Sequence, residues 1–287
     1  MAALFIPLLD SLSFILILML VALGLAVIFG LMNVINMAHG EFVMLGAYVV
    51  LVLHQAGLSV WFGLLAAPIM VGLFGLMVEM LLVRRVYTRL LDTILATWGL
   101  SLIMRQGVTL VFGPGSHSVP KPIDGSVLLG GADYPVYRLV VMATTLLVVG
   151  ATFWFFFRTK RGLAARAVIA NRDMAACLGV DTRALDRMTF AFGTAAAGLA
   201  GAIMAPLISI DPQMGIGFLV PSFLAILVGG LGSVVAPFAG AGIVGGAQTL
   251  VSTVWSPVAA EVVVLLLAIV LIRLFPSGIL AIRGRQI

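Results

Sequence analysis

Nine apolar stretches, at 8–31, 42–54, 60–83, 90–112, 136–157, 188–208, 218–231, 234–254 and 259–275, dominate this chain and constrain its fold more than any other feature. A helix crosses a hydrocarbon core of about 30 Å with roughly 20 apolar residues. The stretches outrun soluble strands, and many are apolar on every side, which points to helices that satisfy their own backbone inside lipid. Only 9% of the 287 residues are charged, against about 25% in a soluble domain. That is too few to clothe a globular surface, so a soluble enzyme, a disordered chain and a DNA-binding domain are excluded. The expected fold is an all-α polytopic membrane protein, a single transmembrane domain over 1–287 with eight or nine spans. The net charge of +5 implies no nucleic-acid partner, because the basic residues sit in short clusters between apolar stretches. Cys177 is the single cysteine, so no internal disulfide or CxxC site exists. The N-terminus lacks a basic n-region and a small-residue cleavage site, so the first stretch is expected to be a retained span.

Arg84, Arg85 and Arg89 form one basic cluster; Arg158, Lys160, Arg161, Arg166, Arg172, Arg183 and Arg187 form a second; Arg273, Arg283 and Arg285 form a third. These 13 of 16 basic residues are expected on the cytoplasmic side, with the C-terminus. The loops at 113–135 and 209–217, where Lys121 meets Asp124, Asp133 and Asp211, are expected outside. Parity puts the N-terminus outside, unless 32–41 is a re-entrant break, so its side stays open. Residues 158–187 are the one substantial cytoplasmic segment. There Leu163, Ala167, Met174 and Leu178 are expected to share a helix face, and Gly179 to end that helix in a left-handed conformation. Such a helix either lies on anionic membrane lipid or docks a cytoplasmic partner.

Some chemistry is missing. The two lysines precede Pro122 and Arg161, so no P-loop exists, and no metal-ligand spacing connects His39, His54 and His117. Gly240–Gly245 matches GxGxxG but lies in an apolar stretch, where close helix packing explains it, with Gly242 and Gly246 as a GxxxG pair. Glycine-rich breaks near 30–46 and 229–246 hint at paired interruptions of the kind found at transport sites.

Other chemistry is conspicuous. Asn33-Val34-Ile35-Asn36-Met37-Ala38-His39-Gly40-Glu41 sets two amides, an imidazole and a carboxylate between apolar runs. A charge at the bilayer centre costs roughly 2.5–3.5 kcal/mol. Either this is a surface loop, or Asn36 and Glu41 merely cap helix ends, or it is a broken helix lining a polar-solute pathway. Thr93, Thr97, Ser101, Arg105 and Thr109 recur every fourth residue, giving a slowly spiralling stripe on one helix. They either bond their own backbone and neighbouring helices or wet a translocation path. Arg105 either helps to hold an anionic group or, as its depth favours, snorkels to the outer interface; Glu79 is expected to pair with Arg84 and Arg85, and Gln248 to bridge helices.

The Asn33–Glu41 stretch resembles the signature near the first spans of bacterial branched-chain amino acid ABC transporter permeases of the LivH type. Leu227-Val228-Gly229-Gly230-Leu231-Gly232-Ser233 resembles their late glycine-rich turn, and Pro276-Ser277-Gly278-Ile279-Leu280 their C-terminal end. The likeness covers essentially the whole chain and extends to permeases for urea, short amides and other amino acids. It implies a bacterial inner-membrane permease subunit beside a second, similar permease, two cytoplasmic ATPases and a periplasmic binding protein. ATP would be bound by the partners and no cofactor by this chain. The likeness also implies an ATPase-docking loop. Asp173, Ala175 and Gly179 match the charge, one alanine and the glycine of its motif, with Arg172 beside them; Met174 departs from it, and the distal Ile-x-Leu-Pro is missing.

The expected function is therefore the permease subunit of an ATP-driven importer, itself no enzyme. Asn33, Asn36, His39, Glu41, Thr97 and Ser101 are the candidate pathway. One rival is a self-sufficient secondary transporter or channel that uses His39 and Glu41 for ion coupling. The other is an intramembrane enzyme built on Ser101 and His39.

Overall fold

The computed structural model describes residues 2–86, 89–129, 132–230, 235–276 and 278–280. Each apolar stretch of the sequence carries a helix: α1 (Ala2–Met32), α2 (His39–Gln55), α3 (Val60–Val78), α5 (Leu90–Phe112), α6 (Val136–Arg158), α9 (Thr182–Met204), α10 (Ile216–Gly229), α11 (Ala236–Val254) and α12 (Pro257–Leu274). A π-helical turn, Glu79–Val83, joins α3 to the short α4 (Arg84–Val86). Serines start two of these helices. The Ser59 side chain accepts the Trp61 N–H, and Ser256 accepts that of Ala259 with Pro257 following. Among the described residues, five helical stretches are long and apolar enough to cross a membrane: Ile6–Met32, Val60–Val86, Leu91–Phe112, Val136–Arg158 and Pro257–Leu274.

The centre is α9, whose inward face is made of small residues. Gly193 lies against the backbone of Gly24 on α1, Gly198 against Val71 on α3, and Gly201 against Val43 on α2. Ala196, Ala197 and Ala200 fill the space between them. With no side chains to hold them apart, three helices approach one, and dispersion contacts replace the hydrophobic drive that lipid does not supply. A second apolar cluster joins Leu18 and Ala22 of α1 to Ala225, Val228, Ala241, Val244, Val264 and Ala268 of α10–α12. A Cβ at Gly240 would overlap the Ala225 carbonyl, and Gly245 faces Ile15 and Leu18, so close packing does explain this glycine run. The packed pair is not the expected one, however. Gly242 faces open space, and Gly246 has only Ile15 near it.

One end of the bundle carries a hairpin that the sequence reading did not anticipate, β1 (Ser126–Leu129) antiparallel to β2 (Ala132–Pro135). His117 and Ile210 exchange backbone hydrogen bonds of 2.8 and 2.9 Å, which brings the loops at 113–135 and 209–217 to this same end. Asp10 pairs with Arg138 here, tying the start of α1 to that of α6.

The basic segment lies at the opposite end of α1 and corrects an expectation. It holds two helices, α7 (Lys160–Ala170) and α8 (Arg172–Cys177), not one. Asn171 is extended, and its side chain accepts the Met174 N–H at 2.9 Å, capping α8 and breaking the run. Leu163 and Met174 therefore share no continuous face, and with Leu178 they are exposed. Gly179 does take the left-handed conformation, at φ +88, and closes α8. Leu231, Gly232, Ser233 and Ser277 of the quoted motifs, and Arg283 and Arg285, lie outside the described residues.

Candidate functional site

Between α1 and α2 the helix is broken. Asn33 turns the chain at φ +53, the one non-glycine residue with positive φ among those described. Residues 33–36 are non-helical, and α2 begins at His39. The His39 Nε2 lies 3.0 Å from the Val21 carbonyl of α1. Val21 precedes the end of α1 by three turns, so the chain has doubled back by about 16 Å. The N-terminus of α2 thus starts within the bundle. There Gly40 abuts Gly215, the N-cap of α10, so the positive ends of two helices meet. Any side chain at Gly40 would overlap the Gly215 carbonyl.

The polar stripe of α5 faces this junction. Thr97 Oγ1 accepts the Met37 N–H at 3.1 Å, and its own proton points to the Thr93 carbonyl at 2.7 Å, with the Ile35 carbonyl at 3.2 Å. One hydroxyl thus clamps the broken segment to α5. Ser101 donates to Glu41 Oε1 at 2.8 Å, and Arg105 Nε lies 3.2 Å from the same oxygen. Arg105 also reaches Ser101 at 3.3 Å and Gln213 at 3.4 Å. It does not snorkel. A carboxylate buried at 1% exposure demands a counter-charge more strongly than the interface attracts a guanidinium. Thr109 bonds its own helix, at the Arg105 carbonyl.

Five of the six candidate pathway residues, Asn36, His39, Glu41, Thr97 and Ser101, are buried and stand around this junction. Asn33 is exposed at the break and stands apart. The surface-loop reading of the motif therefore falls for Asn36, His39 and Glu41. Asn36 does support the local turn, accepting the Ala38 N–H at 3.1 Å, while no side chain caps α2. Three buried polar atoms keep a free valence: Asn36 Nδ2, His39 Nδ1 and Glu41 Oε2. An unmet group of this kind costs about 1–3 kcal/mol, so the cluster holds hydrogen-bonding capacity that its own residues do not satisfy.

The basic segment makes a second constellation. Arg172 pairs with the fully buried Asp186 and also bonds the Leu31 carbonyl at the end of α1. Asp173 is exposed and Ala175 buried. The pairing of Arg105 with Glu41 and the role of Asp186 escaped the sequence reading, because neither partner follows from periodicity along one helix. Glu79 is buried and makes no ion pair within 4.0 Å of Arg84 or Arg85; the charges of Arg84 and Arg187 act on it from a longer distance. Gln248 Oε1 is buried without a hydrogen bond and so bridges no helices; the side chain lines a cavity of about 360 Å³ shared with Glu261.

A family model described as branched-chain amino acid transport system, permease component, matches residues 8–273. The high-affinity branched-chain amino acid transport system permease protein LivH of Salmonella typhimurium is 28% identical over 277 residues, covering 91% of this chain and 90% of the relative. The corresponding protein BraD of Pseudomonas aeruginosa is 28% identical over 280 residues, with the same coverage. A probable LivH of Methanocaldococcus jannaschii is 25% identical over 82% of this chain and 77% of its own. No solved structure matches. With all but the ends of the chain inside one family model, and five apolar helices of membrane length among the described residues, this protein belongs to the family of branched-chain amino acid transport permease components.

Proposed function

We infer that the chain is the membrane-spanning subunit of an ATP-driven importer whose solute is a branched-chain amino acid. The family match over 8–273 carries this reading, and the solute follows from the names of the relatives. The chain sits in the inner membrane with eight or nine spans and its C-terminus in the cytoplasm. It pairs with a second permease, two ATPases dock on its cytoplasmic side, and a periplasmic binding protein delivers the solute.

The mechanism is alternating access. Nucleotide binding draws the ATPases together, and the segment 158–187, with Asp173, Ala175 and Gly179, passes that movement to the spans. The cluster of Asn36, His39, Glu41, Thr97 and Ser101, with Arg105, then opens first to one side and then to the other. The unmet polar atoms supply weak hydrogen bonds to a zwitterion, so most selectivity rests with the binding protein. Loose binding along the path is an advantage, since equal stabilisation of every stage would slow release.

The test is uptake by the purified subunit assembled with its partners in liposomes. Wild-type complex transports leucine only with ATP, while Asn36→Leu and Glu41→Ala, at normal abundance, lose uptake. Unchanged uptake in both variants rejects the pathway. Solute flux through the isolated chain would instead make it a secondary transporter or channel.

A further inference from the structure

Arg172 opens α8 just after the Asn171 cap has set the direction of the chain. Its guanidinium turns into the bundle. One nitrogen donates to Asp186 Oδ1 at 3.0 Å and to the Leu31 carbonyl at 3.2 Å, and the other completes a bidentate pair with Asp186 Oδ2. Asp186 is fully buried near the start of α9, the central helix. Leu31 is in the last turn of α1, where carbonyls have no partner four residues on. Its donor comes from 141 residues away. One planar cation therefore joins α8, α9 and α1, two residues before the break at Asn33.

The surroundings make this junction important. An apolar crevice of about 630 Å³, bordered by Val27 and Leu31 of α1, Phe155 of α6, Ala165 of α7 and Leu185 of α9, separates the basic segment from the bundle beside it. Gly162, Ala165 and Val168 pack α7 against α6 and the end of α1, and beside the crevice Arg172 adds the directed polar contact that ties α8 to α9 and to α1. Beyond Leu31 the chain runs to the segment that Thr97 clamps and then to Asn36, His39 and Glu41.

We propose that Arg172 is the positioning residue that carries movement of the basic segment into the broken helix at 33–38. The proposal rests on the reading that an ATPase docks on 158–187. A bidentate guanidinium is a rigid fork, so displacing α8 pulls on the Leu31 carbonyl and on the buried carboxylate together. A lysine keeps the charge but is a point donor on a flexible stem and cannot hold both at once.

The experiment measures ATP hydrolysis and uptake in the same reconstituted complexes. In Arg172→Lys the ATPases still co-purify and hydrolysis stays within about twofold, while solute moved per ATP falls about tenfold, within the usual range of coupling between sites. Asp186→Asn keeps the Leu31 bond and lowers that ratio less, and Lys121→Arg, in the loop at the other end of the bundle, leaves it unchanged. Two results overturn the proposal: an unchanged ratio in Arg172→Lys, or loss of ATPase co-purification together with uptake, which would make Arg172 a docking or folding residue. An equal fall in Asp186→Asn also overturns it, by assigning the effect to the ion pair alone. Failure of the wild-type chain to bind ATPases would instead reject the underlying reading of function.

Discussion

At the scale of single residues, the polar cluster is a balance of satisfied and unsatisfied groups. Thr97 accepts the Met37 N–H of a segment that has no helix of its own. Thr97→Val should lower stability by about 1–3 kcal/mol, since the Met37 N–H loses its acceptor; Thr97→Ser should restore it, and thermal unfolding in detergent reads both. Arg105→Ala leaves Glu41 buried and uncompensated, at a cost of about 3–5 kcal/mol. Adding Glu41→Ala to that variant should recover part of the loss, so the double-mutant cycle reports a coupling energy; strictly additive losses would mean the two side chains do not interact. The sequence made Asn36, His39, Glu41, Thr97 and Ser101 visible, because polar groups within apolar runs stand out. It could not pair Arg105 with Glu41. Position along α5 gives the depth of a side chain, whereas its partner is set by where a segment more than 60 residues earlier comes to rest.

At the scale of elements, helices were legible and their breaks only partly so. The joint at Asn171 carried a signal, an N-cap residue ahead of a short helical run, but the apolar spacing of Leu163, Ala167, Met174 and Leu178 suggested one continuous helix. The β1–β2 hairpin also left a trace in Gly130-Gly131, a pair that favours tight two-residue turns between short strands. Glycines separate into those that permit contact and those that face space. Gly198→Leu should force α9 away from α3, a cost of about 1–3 kcal/mol or more, seen as loss of the monodisperse peak in size exclusion. Gly242→Ala meets nothing and should raise the melting temperature, because alanine is favoured over glycine in a helix by up to about 1 kcal/mol.

At the scale of the whole molecule, the apolar stretches announced a membrane protein, yet nothing in them showed that α9 is central. Its alanines and glycines are weak in hydropathy and strong in packing, so a scale that rewards large side chains passes over the helix that the others surround. Large apolar residues face outward instead, among them Leu65 and Leu73 on α3, Leu95 and Ile103 on α5, and Leu266 on α12, where lipid or a neighbouring subunit meets them. The arrangement predicts opposite accessibility at its two ends. The exposed Cys177 should react with a membrane-impermeant maleimide only from the cytoplasmic face, and His117→Cys in a Cys177→Ala background only from the other. Labelling of both from one side would reject the orientation. The doubled-back connection between α1 and α2 has a mechanical consequence as well. Residues 36–39 are coiled into a turn, with the His39 N–H on the Asn36 carbonyl at 3.2 Å, so the connection holds more chain than the gap between its ends requires. It can lengthen by opening that turn, and the Thr97 clamp rather than tautness is what fixes its position.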